Sequence, residues 1–379
     1  MTSRAPLAFV NLTPGDPAPW FHQRSTGNPR YAFDMAAGRY VVLCFFGSTS
    51  SPQAKSALDA LNAHRNRFDD ARACFFGITV DRGDEQKLKD RLPGIRFFLD
   101  FDGSVSRLYG AIAKETDNTS SVSVRQFWMV LDPTLRVMAT FPLDVDGDIA
   151  LFNYLSKLPP PDRFAGFEIV APVIVLPNVF EPEFCKNLIG IFKEQGGAES
   201  GFMREVNGKT VELFDYNHKR RRDVTIEDPD LIKQLQGYIL RRVNPELQKV
   251  HCYRATRMER YLVSCYSAED GGHFRPHRDN TTKGTAHRRF AVSINLNGEF
   301  EGGELSFPEY GPRTFKAPPG GAVVFAGAMM HAVSPVTKGE RYAFLPFLYD
   351  EEAAKIREAN ASFLEGEAAN YKAEGAQAS

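Results

Sequence analysis

Sulfur is scarce in this chain: 379 residues carry five cysteines, at 44, 74, 185, 252 and 265. They are odd in number, widely scattered and form no CxxC, which excludes a disulfide framework and a cysteine-only zinc site. A reducing compartment, the cytoplasm, is the expectation. An excess of one charge is missing too. The 46 Lys and Arg nearly balance the 47 Asp and Glu, for a net charge of −1, which argues against nucleic acid or an acidic membrane held by bulk electrostatics. Nowhere do about 18 apolar residues run uninterrupted, so no membrane span is expected. The opening residues, MTSRAPLAFVNLTPG, lack the apolar stretch of a secretory leader. No internal repeat is visible.

What is present begins with length: 379 residues are twice an ordinary domain, so two domains are expected. Hydrophobic residues at 43% and charged ones at 25% are enough to bury real cores. Residues 41–46, VVLCFF, form an apolar run of the kind buried on both faces of a sheet. A helix follows over 51–68 with Ala54, Leu58 and Leu61 on one side. Strand and helix then alternate, CFFGITV leading into a helix in DEQKLKDRL and IRFFLD into one in SVSRLYG. RQFWMVLD and RVMATFPLD read as adjacent strands turning at Asp132-Pro133, and 151–158 closes as a helix. That order predicts a mostly parallel α/β sheet over 1–158. Pro159-Pro160-Pro161-Asp162 cannot continue a helix and predicts a stiff linker over 159–166.

A second domain is expected over 167–352, followed by a Glu/Ala-rich tail, 353–379, helical and then disordered. Phe184, Leu188, Ile191 and Phe192 share one helix face. Asp228-Pro229 offers an N-cap and first turn to a second helix bearing Leu231, Leu235 and Ile239. From about 258 to 349 the chain changes to seven or so short strands split by Gly, Pro and Asn, which predicts a sandwich or jelly roll. Among them FAVSINLN alternates, with Phe290, Val292, Ile294 and Leu296 on one side.

Histidine is concentrated in this region: five of the eight, His251, His273, His277, His287 and His331, fall within 81 consecutive residues. In His277-Arg278-Asp279 an imidazole and a carboxylate point the same way from an extended segment, while His331 must arrive from another strand. Two imidazoles and one carboxylate on one face of an octahedral ion suit Fe(II) and leave room for a bidentate cosubstrate and dioxygen. An HxD triplet alone is weak, expected by chance roughly once in two such chains. Its conjunction with His331 and with Arg341, ten residues later in RYAFLPF, is what carries weight. A guanidinium in an apolar, β-rich pocket is costly unless it meets an anion, and its fork matches a carboxylate. His273, Arg275, Arg278, Asn280, His287 and Arg289 flank the motif and are candidates for the mouth of the site; their plainer reading is a solvated polar loop. The run Lys219-Arg220-Arg221-Arg222 reads as solvated surface, with recognition of an acidic substrate as the alternative.

The segments VIVLPNVFEPEFCKNLI, YLVSCYSAEDGGHFRPHRDN, GGELSFPEYG and PPGGAVVFAGAMMHAVSPVTKGERYAFLPF resemble Fe(II)- and 2-oxoglutarate-dependent dioxygenases of the prolyl 4-hydroxylase type, over roughly residues 170–350. The resemblance implies a double-stranded β-helix, or jelly roll, with flanking helices. It implies Fe(II) held by His277, Asp279 and His331, Arg341 on the distal carboxylate of 2-oxoglutarate, and Tyr266 hydrogen-bonded to that cosubstrate, the alternative for Tyr266 being a core tyrosine with its hydroxyl at the rim. Ascorbate is a candidate reductant. The reaction implied is hydroxylation of a C–H bond in a protein, peptide or small-molecule substrate, with release of succinate and CO2. Two other readings stay open. One is a non-catalytic 2-oxoglutarate or iron sensor built from two degenerate enzyme domains. The other is a cupin-type metal enzyme without 2-oxoglutarate, which leaves Arg341 unexplained.

The first half, through PGDPAPWF, VVLCFFGSTSSPQA, ITVDRGDEQ, FFLDFDGSVSRLYGA and VRQFWMVLDP, resembles the peroxiredoxin (AhpC/TSA) branch of the thioredoxin fold. Those enzymes need a thiolate at the start of the helix after the second strand, its pKa lowered by the helix N-terminus and an Arg. Here Gly47-Ser48-Thr49-Ser50-Ser51-Pro52-Gln53-Ala54 leaves Ala54 where that Cys is expected, and Ser50-Ser51-Pro52-Gln53 replaces C-x-P-C. Arg125 matches the family's active-site Arg, with no thiolate to serve. Cys44 and Cys74 lie in apolar strands and read as small buried hydrophobes. The expectation for 1–158 is a redox-inactive accessory domain that presents substrate, delivers a partner or forms a homodimer through its edge surface.

Overall fold

The structure is a computed structural model that describes residues 8–114, 123–364 and 372–373. The chain forms two compact units dividing between Val170 and Ala171, with Glu309–Gly311 grouped with the first.

The first unit is built on a five-stranded sheet. Its strands are β1 (Tyr40–Gly47), β2 (Ala73–Thr79), β3 (Ile95–Leu99), β4 (Phe127–Leu131) and β5 (Val137–Pro142). They lie in the order β3-β2-β1-β4-β5. The first three run parallel, and β4 and β5 are antiparallel additions. Every residue of β1 and β2 is buried, as the apolar runs require of strands covered on both faces. Helix α1 (Pro52–Ala63) begins where the Ser51 side chain accepts the Ala54 N–H at 3.0 Å and Pro52 takes the first helical position. The short α2 (Ser104–Leu108) and α3 (Val145–Lys157) complete the unit, and α3 is held to the sheet by a 2.8 Å bond from Trp128 Nε1 to Asp148. This is the thioredoxin-like, peroxiredoxin-like architecture. One expected helix is absent: residues 84–92 form only a 3-10 turn, Arg82–Asp84, and then irregular turns. The segment has only Leu88 and Leu92 to offer a core, and Asp84 is spent on Thr49 N–H and the Thr79 hydroxyl at 2.8 and 2.7 Å.

The second unit contains two facing sheets. Its strands are β6 (Ile174–Leu176), β7 (Lys219–Arg220), β8 (Arg222–Thr225), β9 (Arg257–Glu259), β10 (Leu262–Ser267), β11 (His273–His277) and β12 (Phe290–Asn295). Then come β13 (Leu305–Ser306), β14 (Thr314–Phe315), β15 (Ala322–Ala326), β16 (His331–Val333), β17 (Val336–Phe344) and β18 (Phe347–Tyr349). The larger sheet runs β9-β18-β12-β17-β10-β8, with β15 and β6 continuing from β12; the smaller runs β7-β11-β16-β13-β14. Together they make the double-stranded β-helix. Helices α4 (Pro182–Gln195), α5 (Pro229–Arg242) and α6 (Asn244–His251) flank the larger sheet. Phe184, Leu188 and Phe192 of α4 and Leu231, Leu235 and Ile239 of α5 join Val292, Ile294 and Phe344 in one core.

The alternation in β12 has a second meaning here. All six of its residues are buried, because the side opposite Val292 and Ile294 faces the barrel interior rather than water. That interior side carries Ser293 and Asn295. After β18, α7 (Glu351–Ala359) starts where Asp350 accepts the Ala353 N–H at 2.8 Å; the disorder expected of the tail falls largely on 365–371 and 374–379, outside the described residues.

Phe344 pairs with Val263 on one side and Ile294 on the other and is fully buried. Phe344→Ala is expected to destabilise the second unit by about 3–5 kcal/mol, measured as a shift in its denaturant-unfolding midpoint.

Candidate metal centre

Strand β11 ends on His277, which lies directly opposite His331 of β16 after a register shift between Phe274 and His277. The bulge lets the Phe274 ring stack on the His277 imidazole at 3.5 Å. Asp279 follows in a turn fixed by its N–H bond to the Gly327 carbonyl at 2.9 Å. Both imidazoles are oriented by backbone: His277 Nδ1 is 2.8 Å from the Arg275 carbonyl and His331 Nδ1 is 3.0 Å from that of Met329. A carbonyl only accepts, so each Nδ1 carries the proton and each Nε2 presents its lone pair. Those lone pairs converge on one carboxylate, His277 Nε2 at 3.7 Å from Asp279 Oδ1 and His331 Nε2 at 3.5 Å from Oδ2.

One ligand atom from each of His277, Asp279 and His331 lies within 4.8 Å of the others. Asp279 Oδ2 is buried with no hydrogen-bond partner. Burial, then the adjacent His331, hold the His277 imidazolium well below its ordinary pKa. Two imidazoles and an unsatisfied carboxylate oxygen are a donor set ready for a divalent cation that takes nitrogen and oxygen. Phe325 packs 4.6 Å from the His331 ring and helps keep this corner apolar.

Arg341 lies on β17, directly across from Tyr266 on β10. It is 2% exposed. Its Nε donates to Asn295 Oδ1 at 3.0 Å and its Nη2 to Ser293 Oγ at 2.8 Å, while Nη1 is buried with no partner. All of these partners are neutral. The guanidinium is 5.3 Å from the Tyr266 ring centroid, and Arg221 Nη1 approaches the Tyr266 hydroxyl at 3.4 Å. A buried cation with a free donor and, among the described residues, no counter-ion fits an anionic ligand such as the distal carboxylate of 2-oxoglutarate.

The flanking candidates separate. His273 is tied down through the Gly271 carbonyl at 2.7 Å, Arg275 is exposed, and Arg278 is buried and donates to the Ala328 carbonyl. His287 is not at a mouth or in a solvated loop. It is fully buried beside Glu259 at 3.0 Å, in a cluster where Arg288 and Arg357 also reach that carboxylate. Nor is the basic run a solvated surface throughout: strand alternation buries Lys219 and Arg221 and leaves Arg220 exposed. Ser293 and Asn295 were missed by sequence reasoning, although the polar half of the FAVSINLN alternation was their signal.

In sequence comparisons, residues 261–349 match the 2OG-Fe(II) oxygenase superfamily and residues 14–148 the AhpC/TSA family. A PKHD-type hydroxylase of Cupriavidus metallidurans is 31% identical over 186 residues, covering 45% of this chain and 75% of that protein. The chain belongs to the 2OG-Fe(II) oxygenase superfamily. A PKHD-type hydroxylase of Pseudomonas fluorescens is 40% identical over 91 residues, 22% of this chain, and the match spans only 39% of that relative's length. Among solved structures, peroxidoxin BcpB from Mycobacterium tuberculosis is similar at 17% identity over 38% of this chain and 96% of that one, with a TM-score of 0.33. Fe(II) and 2-oxoglutarate are the cofactors this oxygenase family implies.

In the first unit of this oxygenase, Ala54 is fully buried in the first turn of α1, and Arg125 is exposed with its guanidinium 4.9 Å from the Phe9 ring. Burial pushes the Cys74 thiol up to about 12 and raises that of Cys44 as well, so neither is a thiolate at neutral pH. All five cysteines are free. Among the described residues no helix is long and apolar enough to cross a membrane.

His277→Ala or Asp279→Ala is expected to weaken Fe(II) binding by at least about tenfold, read by anaerobic metal titration with circular dichroism as the check on folding. The full chain is expected to consume no hydrogen peroxide with a thiol reductant beyond the protein-free rate; turnover in that assay would overturn the redox-inactive reading of the first unit.

Proposed function

We propose that the chain is a 2-oxoglutarate-dependent hydroxylase in which His277, Asp279 and His331 hold Fe(II) and Arg341 binds the cosubstrate. The observation that carries this reading is the pairing of a convergent donor triad with a buried, counter-ion-free guanidinium inside one β-helix. When bound, Fe(II) and 2-oxoglutarate would supply the oxidising chemistry with dioxygen: one oxygen atom would enter succinate as CO2 leaves the cosubstrate, and the other would turn a substrate C–H bond into C–OH.

The protein's own part is orientation and exclusion of water. The Arg275 and Met329 carbonyls hold the imidazoles in the ligating tautomer. Asn295 and Ser293 hold the Arg341 fork in place and leave Nη1 to the distal carboxylate. The Tyr266 hydroxyl accepts from Arg221 Nη1 at 3.4 Å and keeps its own proton to donate to the cosubstrate. Phe274 and Phe325 cover the imidazoles with apolar surface, which strengthens each polar contact inside.

The substrate is a prolyl side chain of a protein or peptide, a free amino acid or another small molecule, and ascorbate is the candidate reductant. The first unit serves as an accessory domain, with dimerisation through its edge surface as one role. Five free cysteines support a cytoplasmic setting. A cupin-type enzyme without 2-oxoglutarate leaves Arg341 without a role, and a sensor differs from a hydroxylase in releasing no succinate.

The chain reconstituted with Fe(II) and 2-oxoglutarate is expected to release succinate in air, and omission of either is expected to abolish it. Arg341→Met is expected to raise the KM for 2-oxoglutarate about 100-fold, as loss of a buried charge-pair partner does, while Fe(II) affinity stays within twofold. No succinate from the fully reconstituted chain across a broad substrate screen would favour the sensor.

A further inference from the structure

The basic run at 219–222 is the feature that cofactor binding leaves unused. β7 lies against β11 with Lys219 opposite Phe274, and Phe274 lies opposite Val333 of β16. Val333 stands two residues from His331, and i and i+2 of a strand share a face. Lys219 therefore projects from the same face of the smaller sheet as a proposed iron ligand. Phe274 closes the arrangement, its ring 5.1 Å from Lys219 Nζ and stacked on His277 at 3.5 Å.

Lys219 is only 4% exposed, and its partners are neutral: the Ser200 hydroxyl at 2.7 Å and the Gly201 carbonyl. An ammonium has three donors, so one is left over. The charged groups around it do not balance it. Asp223, the nearby buried acid, is already shared by Arg221 at 2.6 Å and Arg260 at 3.6 Å. Glu212 accepts the Gly201 N–H at 2.7 Å. The deficit shows in the lysine's acidity. Burial, and then the positive Arg221, push the Lys219 ammonium down to about 5. At neutral pH Lys219 is therefore charged only when an anion stands beside Nζ, and on the hydroxylase reading both carboxylates of 2-oxoglutarate are taken, by Arg341 and by the metal.

We propose that Lys219 is a specificity-determining residue and that the primary substrate carries an acidic group, a carboxylate or similar oxyanion, which pairs with Nζ while a nearby C–H bond faces the iron. This rests on the hydroxylase reading above. It narrows the substrate class to acids: an amino acid recognised through its carboxylate, or a peptide with an acidic side chain next to the modified residue. Neutral analogues of the same shape leave the buried lysine unpaired and are rejected.

The test uses the full chain, loaded anaerobically with Fe(II) and saturating 2-oxoglutarate, and titrated calorimetrically with acetate and with acetamide, a matched pair differing in charge. Acetate is expected to bind at least tenfold more tightly than acetamide. Lys219→Met is expected to lose that preference and Lys219→Arg to keep it. Equal binding of the two probes by the unmutated chain overturns the inference without recourse to any variant. So does a folded Lys219→Met protein whose acetate affinity stays within twofold. The colour of the Fe(II)–2-oxoglutarate complex separates the two layers of the argument. Its absence overturns the hydroxylase reading and this inference with it, whereas its presence with no acetate preference overturns this inference alone.

Discussion

Burying a guanidinium without a counter-ion is the constraint around which the second unit is arranged. Arg341 sits in the middle of β17, the strand that pairs with both β10 and β12, and its charge is met only by the neutral Asn295 and Ser293 and by the face of Tyr266. Such a group costs several kcal/mol unless an anion completes it. It persists because α4 and α5 pack an extensive apolar core on the far side of the same sheet, with Ile294 and Phe344 at its centre. Hydrophobic burial outside the barrel thus offsets an unpaired charge inside it. The metal triad follows the same pattern, with an unsatisfied Asp279 oxygen held between two imidazoles that the backbone has already oriented.

Much of this was legible in the sequence because strand periodicity is strict. His277 and Asp279 were expected on one side and do converge, although the strand ends at His277 and a turn brings Asp279 round, and Arg341 in RYAFLPF was expected to meet an anion. The polar residues of β12 were harder to read. Alternation announces an inner and an outer face, but it does not say that the outer face looks into a second cavity rather than into water. Lys219 and Arg221 were hidden for a related reason: four consecutive basic residues look solvated, and only pairing with β11 reveals that alternate members point inward. The missing helix at 84–92 shows the opposite error, where charged residues of good helical propensity found too few apolar partners to define a face.

The first unit separates fold from chemistry. Its sheet order, the capped α1 and the buried Trp128 to Asp148 bond depend on the apolar strands and on Ser51, none of which needs a thiol. Ala54 fits the first turn of α1 with complete burial, so the scaffold is packed with a methyl group at the position where the peroxiredoxin resemblance expects a thiol. The remaining cysteines of this unit lie within the sheet and are kept protonated by burial.

Whether the buried guanidinium receives the far carboxylate of a 2-oxo acid bound at the triad can be read by comparing two ligands on the unmutated protein. Under argon, with Fe(II) present, 2-oxoglutarate and 2-oxobutyrate share the metal-binding end and differ in the distal carboxylate. 2-Oxoglutarate is expected to bind about 100-fold more tightly, the worth of a buried charge-assisted pair, as read from the visible absorption of the Fe(II) complex. Equal affinity for the two would contradict it.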